Sequence, residues 1–197
     1  MADLAKELEL PKATVYGILR TLQAVGFVEQ DSDSGKYQLG AAMFHIGSSY
    51  LDGNELRRHA LGWANALATR TGESVLIGTR HEHLVLIVHH VLRPDDSPQP
   101  LEIGSVLPVE TTALGKALVA HRQVTDRGWT SEVGELLPGV ASIAAPIENR
   151  KRLVIGAVAI SGAVERVCPD RSPRPELVAD VVECARAISR DLGATAW

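Results

Sequence analysis

Behind Pro11, the apolar residues Val15, Ile18, Leu19, Leu22 and Val25 recur at the spacing of an amphipathic helix, which predicts a helix over residues 10–22. Pro11 suits the first turn of such a helix, where its missing N–H would be unpaired anyway. The opposite face carries Lys12, Tyr16, Arg20 and Gln23, with Ala13, Thr14 and Gly17 beside them. Upstream, Leu4, Ala5 and Leu8 predict a short helix, separated from the next by a tight turn near Glu9 and Leu10. Two helices so joined, the second with a polar outer face, meet the requirements of a helix-turn-helix reader of the DNA major groove. Gly26 offers a left-handed cap, and residues 27–30 and 36–39 read as strands around a turn at 31–35. Such a hairpin is a wing that sets Lys36 and Tyr37 against the phosphate backbone or minor groove. A packing motif that touches no DNA is the competing reading of the same pattern.

After Gly40 the pattern changes. Residues 41–51 predict a connecting helix, and Asn54 an N-cap for a helix that carries Leu56, Ala60, Trp63, Ala64, Leu67 and Ala68 on one side and stops at Thr71-Gly72. Strands are expected at 74–79, 84–91, 101–103, 141–147 and 153–161, and a short helix from Ala113 to about His121, capped by Thr111 or Thr112. No sustained period runs through 122–138. Leu177, Val181, Ala185, Ile188 and Leu192 mark a closing amphipathic helix. Helices at both ends of an antiparallel set of strands make this an α+β domain with its helices on one sheet face. Three regions follow: 1–40, a linker helix at 41–53, and a larger domain at 54–197.

Composition fits a packed chain: 45% of residues are hydrophobic and mean hydropathy is +0.03. No apolar run reaches the length of a membrane span, and the charged N-terminal helix does not resemble a signal peptide. Cys168 and Cys184 alone are too few for a disulfide scaffold, so a reduced cytoplasm is the expected setting. Charge complicates the DNA reading. Net charge is −4, and in the first forty residues four cations face six carboxylates. Phosphate neutralisation supplies most non-specific DNA affinity, so binding should depend on a dimer that presents two units to two half-sites.

Enzyme chemistry finds little support. The segment around Lys116 departs from a P-loop at Glu110 and Ala117, and no nucleophile elbow or paired-carboxylate motif occurs. We expect no catalytic residues and no cofactor. Nor is a metal expected. His81 and His83 lie at a hairpin tip, while His89, expected opposite Val75, lies about 20 Å along the strand at roughly 3.3 Å per residue. His90 points to the other sheet face.

Several separated blocks in order carry a specific resemblance: LPKATVYGILRTL with GFVEQDSDSGKYQLG, TGE at 71–73, LPVETTALGKALVA, PGVASIAAPI at 138–147 and AVAISG at 157–162. Across nearly its whole length the chain resembles the IclR-type transcriptional regulators. The resemblance implies a winged helix-turn-helix domain, a linker helix and a GAF-like effector domain. It also implies dimers or dimers of dimers, double-stranded DNA with a palindromic operator as partner, and control by a small organic effector. On DNA, Pro11, Lys12, Ala13, Thr14, Tyr16, Gly17, Arg20, Lys36 and Tyr37 are the candidate contacts. The positions that match the family's effector pocket are Leu107, Ala113, Leu114, Glu132, Val140, Ser142, Ala159 and Ser161. Physical reasoning adds Thr112: backbone N–H groups at the start of the Ala113 helix, with neighbouring hydroxyls, would suit a carboxylate.

The chain also departs from the family pattern. An expected helix before Ala2 is lacking, which would leave Leu4, Leu8, Ile18 and Leu22 short of a packing partner. Glu9 stands where a turn glycine is usual, and Gly17 where a basic residue is common. The stretch between His121 and Arg127 is shorter than usual. A small-molecule sensor or oligomerisation module with impaired DNA binding is therefore the alternative function.

Overall fold

The computed structural model describes residues 2–95, 99–119 and 127–194. The chain divides into two compact units, Met1–Gly53 and Asn54–Trp197.

In the first unit, α1 (Ala2–Glu7) and α2 (Lys12–Ala24) are followed by the hairpin β1 (Val28–Gln30) and β2 (Tyr37–Leu39) and by α3 (Ala41–Gly53). Its core is small: Ala5, Val15 and Leu19 are buried, with Leu4, Val28 and Tyr37 packed against them. Val15 and Leu19 stand one turn apart and fix which face of α2 points inward. The rest of the expected stripe is less covered, with Ile18 and Val25 exposed, and Leu8 after α1 is exposed as well. Pro11 caps α2 from just outside the helix, and its carbonyl accepts from the Val15 N–H. Glu9 lies in the turn at φ 54°, left-handed backbone that a side chain makes costly. At the wing tip, Asp31 accepts from the Ser34 N–H (2.7 Å) and hydroxyl (2.6 Å), and these bonds hold its carboxyl below the usual carboxylate range.

The second unit begins with α4 (Glu55–Thr71), whose N-cap Asn54 accepts from the Arg57 N–H at 2.8 Å and whose C-cap Gly72 is left-handed at φ 71°. A six-stranded antiparallel sheet follows in the order β5-β4-β3-β8-β7-β6. Its strands are β3 (Ser74–His81), β4 (Leu84–Val91), β5 (Val106–Pro108), β6 (Thr130–Val133), β7 (Val140–Glu148) and β8 (Val154–Ala163). Between β5 and β6 lies α5 (Ala113–Val119); α6 (Val164–Val167) and α7 (Pro175–Asp191) follow β8.

Helices cover both sheet faces, not the single face expected. Ala157 and Ala159 of β8 pack with Ala144 of β7 and with Ala113, Leu114, Ala117 and Leu118 of α5. The alternate residues Val158, Ile160, Ile143 and Ala145 are equally buried, on the face that receives α4 and α7. Gly156 belongs to this second face: a Cβ there would collide with Leu56 of α4. At the far end of β8, Arg166 donates to both oxygens of buried Glu73 at 2.6 and 2.9 Å, tying α6 to the start of β3.

Two elements differ from expectation. Residues 101–103 form no strand; pairing begins only after Gly104 (φ 86°), where the Gly104 N–H reaches the Ile87 carbonyl and β5 then lines the β4 edge. β6, absent from the sequence-based expectation, pairs with β7. Positions 120–126, where the end of the 113 helix and nearly all of the shortened stretch fall, lie outside the described residues.

The histidine register also shifts. His81 pairs with Leu84 around a two-residue turn, and an irregularity at Ile77/Gly78 sets His89 opposite Ile77, not Val75. Among the described residues no group of three His, Cys, Asp or Glu side chains is placed to hold a metal ion.

Two measurements check this description. Glu9→Gly should stabilise the first unit by about 1 kcal/mol in chemical denaturation, since glycine adopts positive φ freely. Burial holds both His89 and His90 below their ordinary pKa of 6.5, with Arg57 and His90 adding to the shift of His89 and Glu102 opposing that of His90. The unfolded chain therefore binds protons that the folded chain refuses. Stability from these groups is complete above about pH 6.5 and is lost as pH falls below it. The melting temperature should drop on acidification from pH 7 to pH 5, with a shallower drop in His89→Leu.

Candidate functional site

Glu132, Ser142 and Ser161 stand side by side across β6, β7 and β8, because the strand register pairs Glu132 with Ser142 and Ser142 with Ser161. The row lies on the α5 face and extends it beyond Ala159. There the sheet borders a cavity of about 220 Å³ lined by Leu76, Glu102, Leu107, Thr112, Ala113, Leu114, Glu132, Leu136, Leu137, Val140, Ser142, Ala159 and Ser161. All nine effector candidates from the sequence are among these residues, brought together from β5, α5, β6, β7 and β8 and the segments between them. Four lining residues were missed. Leu76 and Glu102 had no distinguishing local pattern, while the apolar pair Leu136-Leu137 before Pro138-Gly139 was a signal within an otherwise irregular stretch.

Glu132 is only 2% exposed. Its Oε1 accepts from the Ser142 hydroxyl at 3.1 Å and its Oε2 from the Glu135 N–H at 3.0 Å. Glu135 in turn binds the Lys116 ammonium at 2.6 Å, joining α5 to the segment after β6. Buried carboxylates persist where such donors are supplied. On the other wall, the Glu102 N–H donates to His90 Nδ1 (3.1 Å) and its carboxylate accepts from the Ser105 hydroxyl at 3.0 Å.

Thr112, one of the two expected caps, spends its hydroxyl on that role. Its hydroxyl donates to the Pro108 carbonyl at 2.7 Å and accepts from the Gly115 N–H at 3.1 Å. The cap thus consumes a first-turn donor that an anionic ligand would need, and α5 has only seven residues. Gly115 is required here because a Cβ would run into the Val109 backbone. The cysteines offer no nucleophile: burial pushes Cys168 up to about 11, with Glu132 adding to the effect, and Cys184 up to about 12.

The DNA candidates form a separate surface. Pro11, Lys12, Ala13, Thr14, Tyr16, Gly17 and Arg20 are all exposed on or just before α2, and Lys36 is exposed at the wing. α2 contains two cations and no carboxylate, so the net acidity of this unit lies on other elements. Tyr37 differs: it is half-buried against the small core, so packing occupies much of its ring. Gly17 faces open space, with nothing within 4 Å of a Cβ built there.

Comparisons with known proteins cover both units. Residues 1–32 match the IclR helix-turn-helix domain, and residues 48–127 and 122–190 match the bacterial transcriptional regulator IclR C-terminal domain. The glycerol operon regulatory protein of Streptomyces coelicolor is 50% identical over 225 residues, covering 98% of this chain and 89% of that one. Its namesake in Streptomyces griseus is 46% identical with the same coverage. In fold, the chain resembles an IclR homolog from Microbacterium hydrocarbonoxydans solved with 4-hydroxybenzoate: TM-score 0.79, 20% identity, 98% of this chain and 91% of that one. These relatives are regulators, not enzymes, and the chain belongs to the IclR family of DNA-binding transcriptional regulators.

Proposed function

We propose that this regulator binds a palindromic operator as a homodimer or dimer of dimers, and that a small organic molecule in the sheet cavity controls that binding. The observation that carries the reading is the convergence on one cavity of nine residues, eight expected from the family resemblance and Thr112 from the helix start, beside a buried, hydrogen-bonded carboxylate. Small-molecule sites are concave and mostly apolar with a few placed polar groups, and this cavity has that character. The fold relative with bound 4-hydroxybenzoate supports a small ligand in the family. The two Streptomyces relatives, named as glycerol operon regulators, support genes of glycerol use as the target. The effector acts by binding DNA-competent and DNA-incompetent forms unequally, since equal binding would shift nothing.

Oligomerisation is supported by α3, which buries none of its residues within the chain although Phe44 is 80% exposed and Met43, Ile46 and Tyr50 are also open. Exposed apolar surface of this kind marks an interface. A DNA-binding protein works where the chromosome is, so we place it in the cytoplasm; among the described residues no helix is long and apolar enough to cross a membrane. The strained Glu9 turn and the bare Gly17 favour one second reading, a sensor with weakened DNA binding.

Fluorescence anisotropy with DNA from upstream of the protein's own gene separates the two. Binding should weaken steeply with salt, and Lys12→Ala and Arg20→Ala should each reduce the log–log salt slope by about 1. Gly17→Arg should raise it by about 1. A folded dimer without salt-sensitive binding would establish the sensor reading instead.

A further inference from the structure

The polar side-chain atoms of the cavity are arranged to accept hydrogen bonds, not to donate them. Ser142 has one hydroxyl proton and lies between Glu132 Oε1, at 3.1 Å, and Ser161 Oγ, at 3.2 Å. A carboxylate is the stronger acceptor, so that proton goes to Glu132. Ser161 must then supply the proton between the two serines, which leaves it only lone pairs for a ligand. Thr112 has already given its proton to the Pro108 carbonyl. Glu102 adds a second carboxylate to the lining. Among the described lining residues there is no lysine, arginine or histidine, and Lys116 on nearby α5 is paired with Glu135.

This set opposes an anionic ligand. A carboxylate or phosphate would bring more acceptors and a like charge against buried Glu132, where the surrounding leucine, valine and alanine side chains screen poorly. A hydroxyl is the complementary group: it is neutral, it donates, and its carbon skeleton lies against apolar walls. The acceptors stand on different elements, so a ligand carrying several hydroxyls engages more of them than a single ammonium does. At about 220 Å³ the cavity is below the roughly 300–1,000 Å³ of sites for drug-sized molecules. We infer that the effector is a small neutral polyol whose hydroxyls donate to Glu132 and Ser161, and not the carboxylate expected from the start of the Ala113 helix. This inference rests on reading the cavity as the effector site.

Isothermal titration calorimetry on the full chain tests it with glycerol, erythritol, glycerate, glycerol phosphate and ethanolamine as probes. Glycerol or erythritol should give saturable binding, at least tenfold tighter than the other three. Glu132→Gln, nearly isosteric, should weaken the polyol at least tenfold and improve glycerate, because it removes the charge and adds donors. Ser161→Ala, which leaves Glu132 in place, should weaken the polyol alone. Tighter binding of glycerate, glycerol phosphate or ethanolamine than of the polyols overturns the ligand class and leaves the cavity as effector site. Polyol binding unchanged in both variants overturns the assignment of its recognition to this row. No saturable binding by any probe overturns the inference and the effector-site reading together.

Discussion

Strand β8 is buried on both faces, and much of the larger unit follows from that constraint. A strand with no solvent side needs cover above and below, which α5 supplies on one side and α4 with α7 on the other. Close cover on both sides demands small residues, and residues 156–159 read Gly-Ala-Val-Ala. Short side chains bring helices near the sheet; Leu56 occupies the space that a side chain at Gly156 would fill. Where the row reaches Ser161, polar groups replace methyls, and the α5 face of the sheet gives way to the cavity.

The buried charge is stable in this setting because strand register aligns its donor. Glu132, Ser142 and Ser161 are direct cross-strand neighbours, so the hydrogen-bonded row is a consequence of pairing and not of loop geometry. Sites carried on strands hold their groups more firmly than sites on loops. The same row decides the polarity that a ligand meets. The stability of the fold and the chemistry of the site are therefore set by one arrangement.

Long periodic elements were legible in the sequence. α4, α7, β4 and the hairpin of β7 and β8 announce themselves through apolar spacing and through the turn at Asn149, whose side chain accepts from Lys151 and Leu153. β6 was not legible, because four residues reading Thr-Ser-Glu-Val carry no period and their burial comes entirely from pairing with β7. Glu132 was named through family resemblance alone, since nothing local distinguishes it from a surface glutamate. Thr112 was placed correctly as a cap, yet the same hydrogen bonds that make it a cap remove it as a donor to a ligand. At Glu9 the expectation came from the family pattern, whose usual turn glycine implies positive φ, and φ is 54°.

On the proposed function, occupancy of the sheet cavity governs DNA binding. A decisive measurement is anisotropy of a preformed operator complex during titration with glycerol, for the natural chain and for Val140→Phe, which narrows the cavity from the half-buried start of β7 while leaving α2 untouched. Under cavity control, operator affinity changes saturably for the natural chain and not for the narrowed variant, whose basal affinity is unchanged. An equal response from both proteins would contradict it.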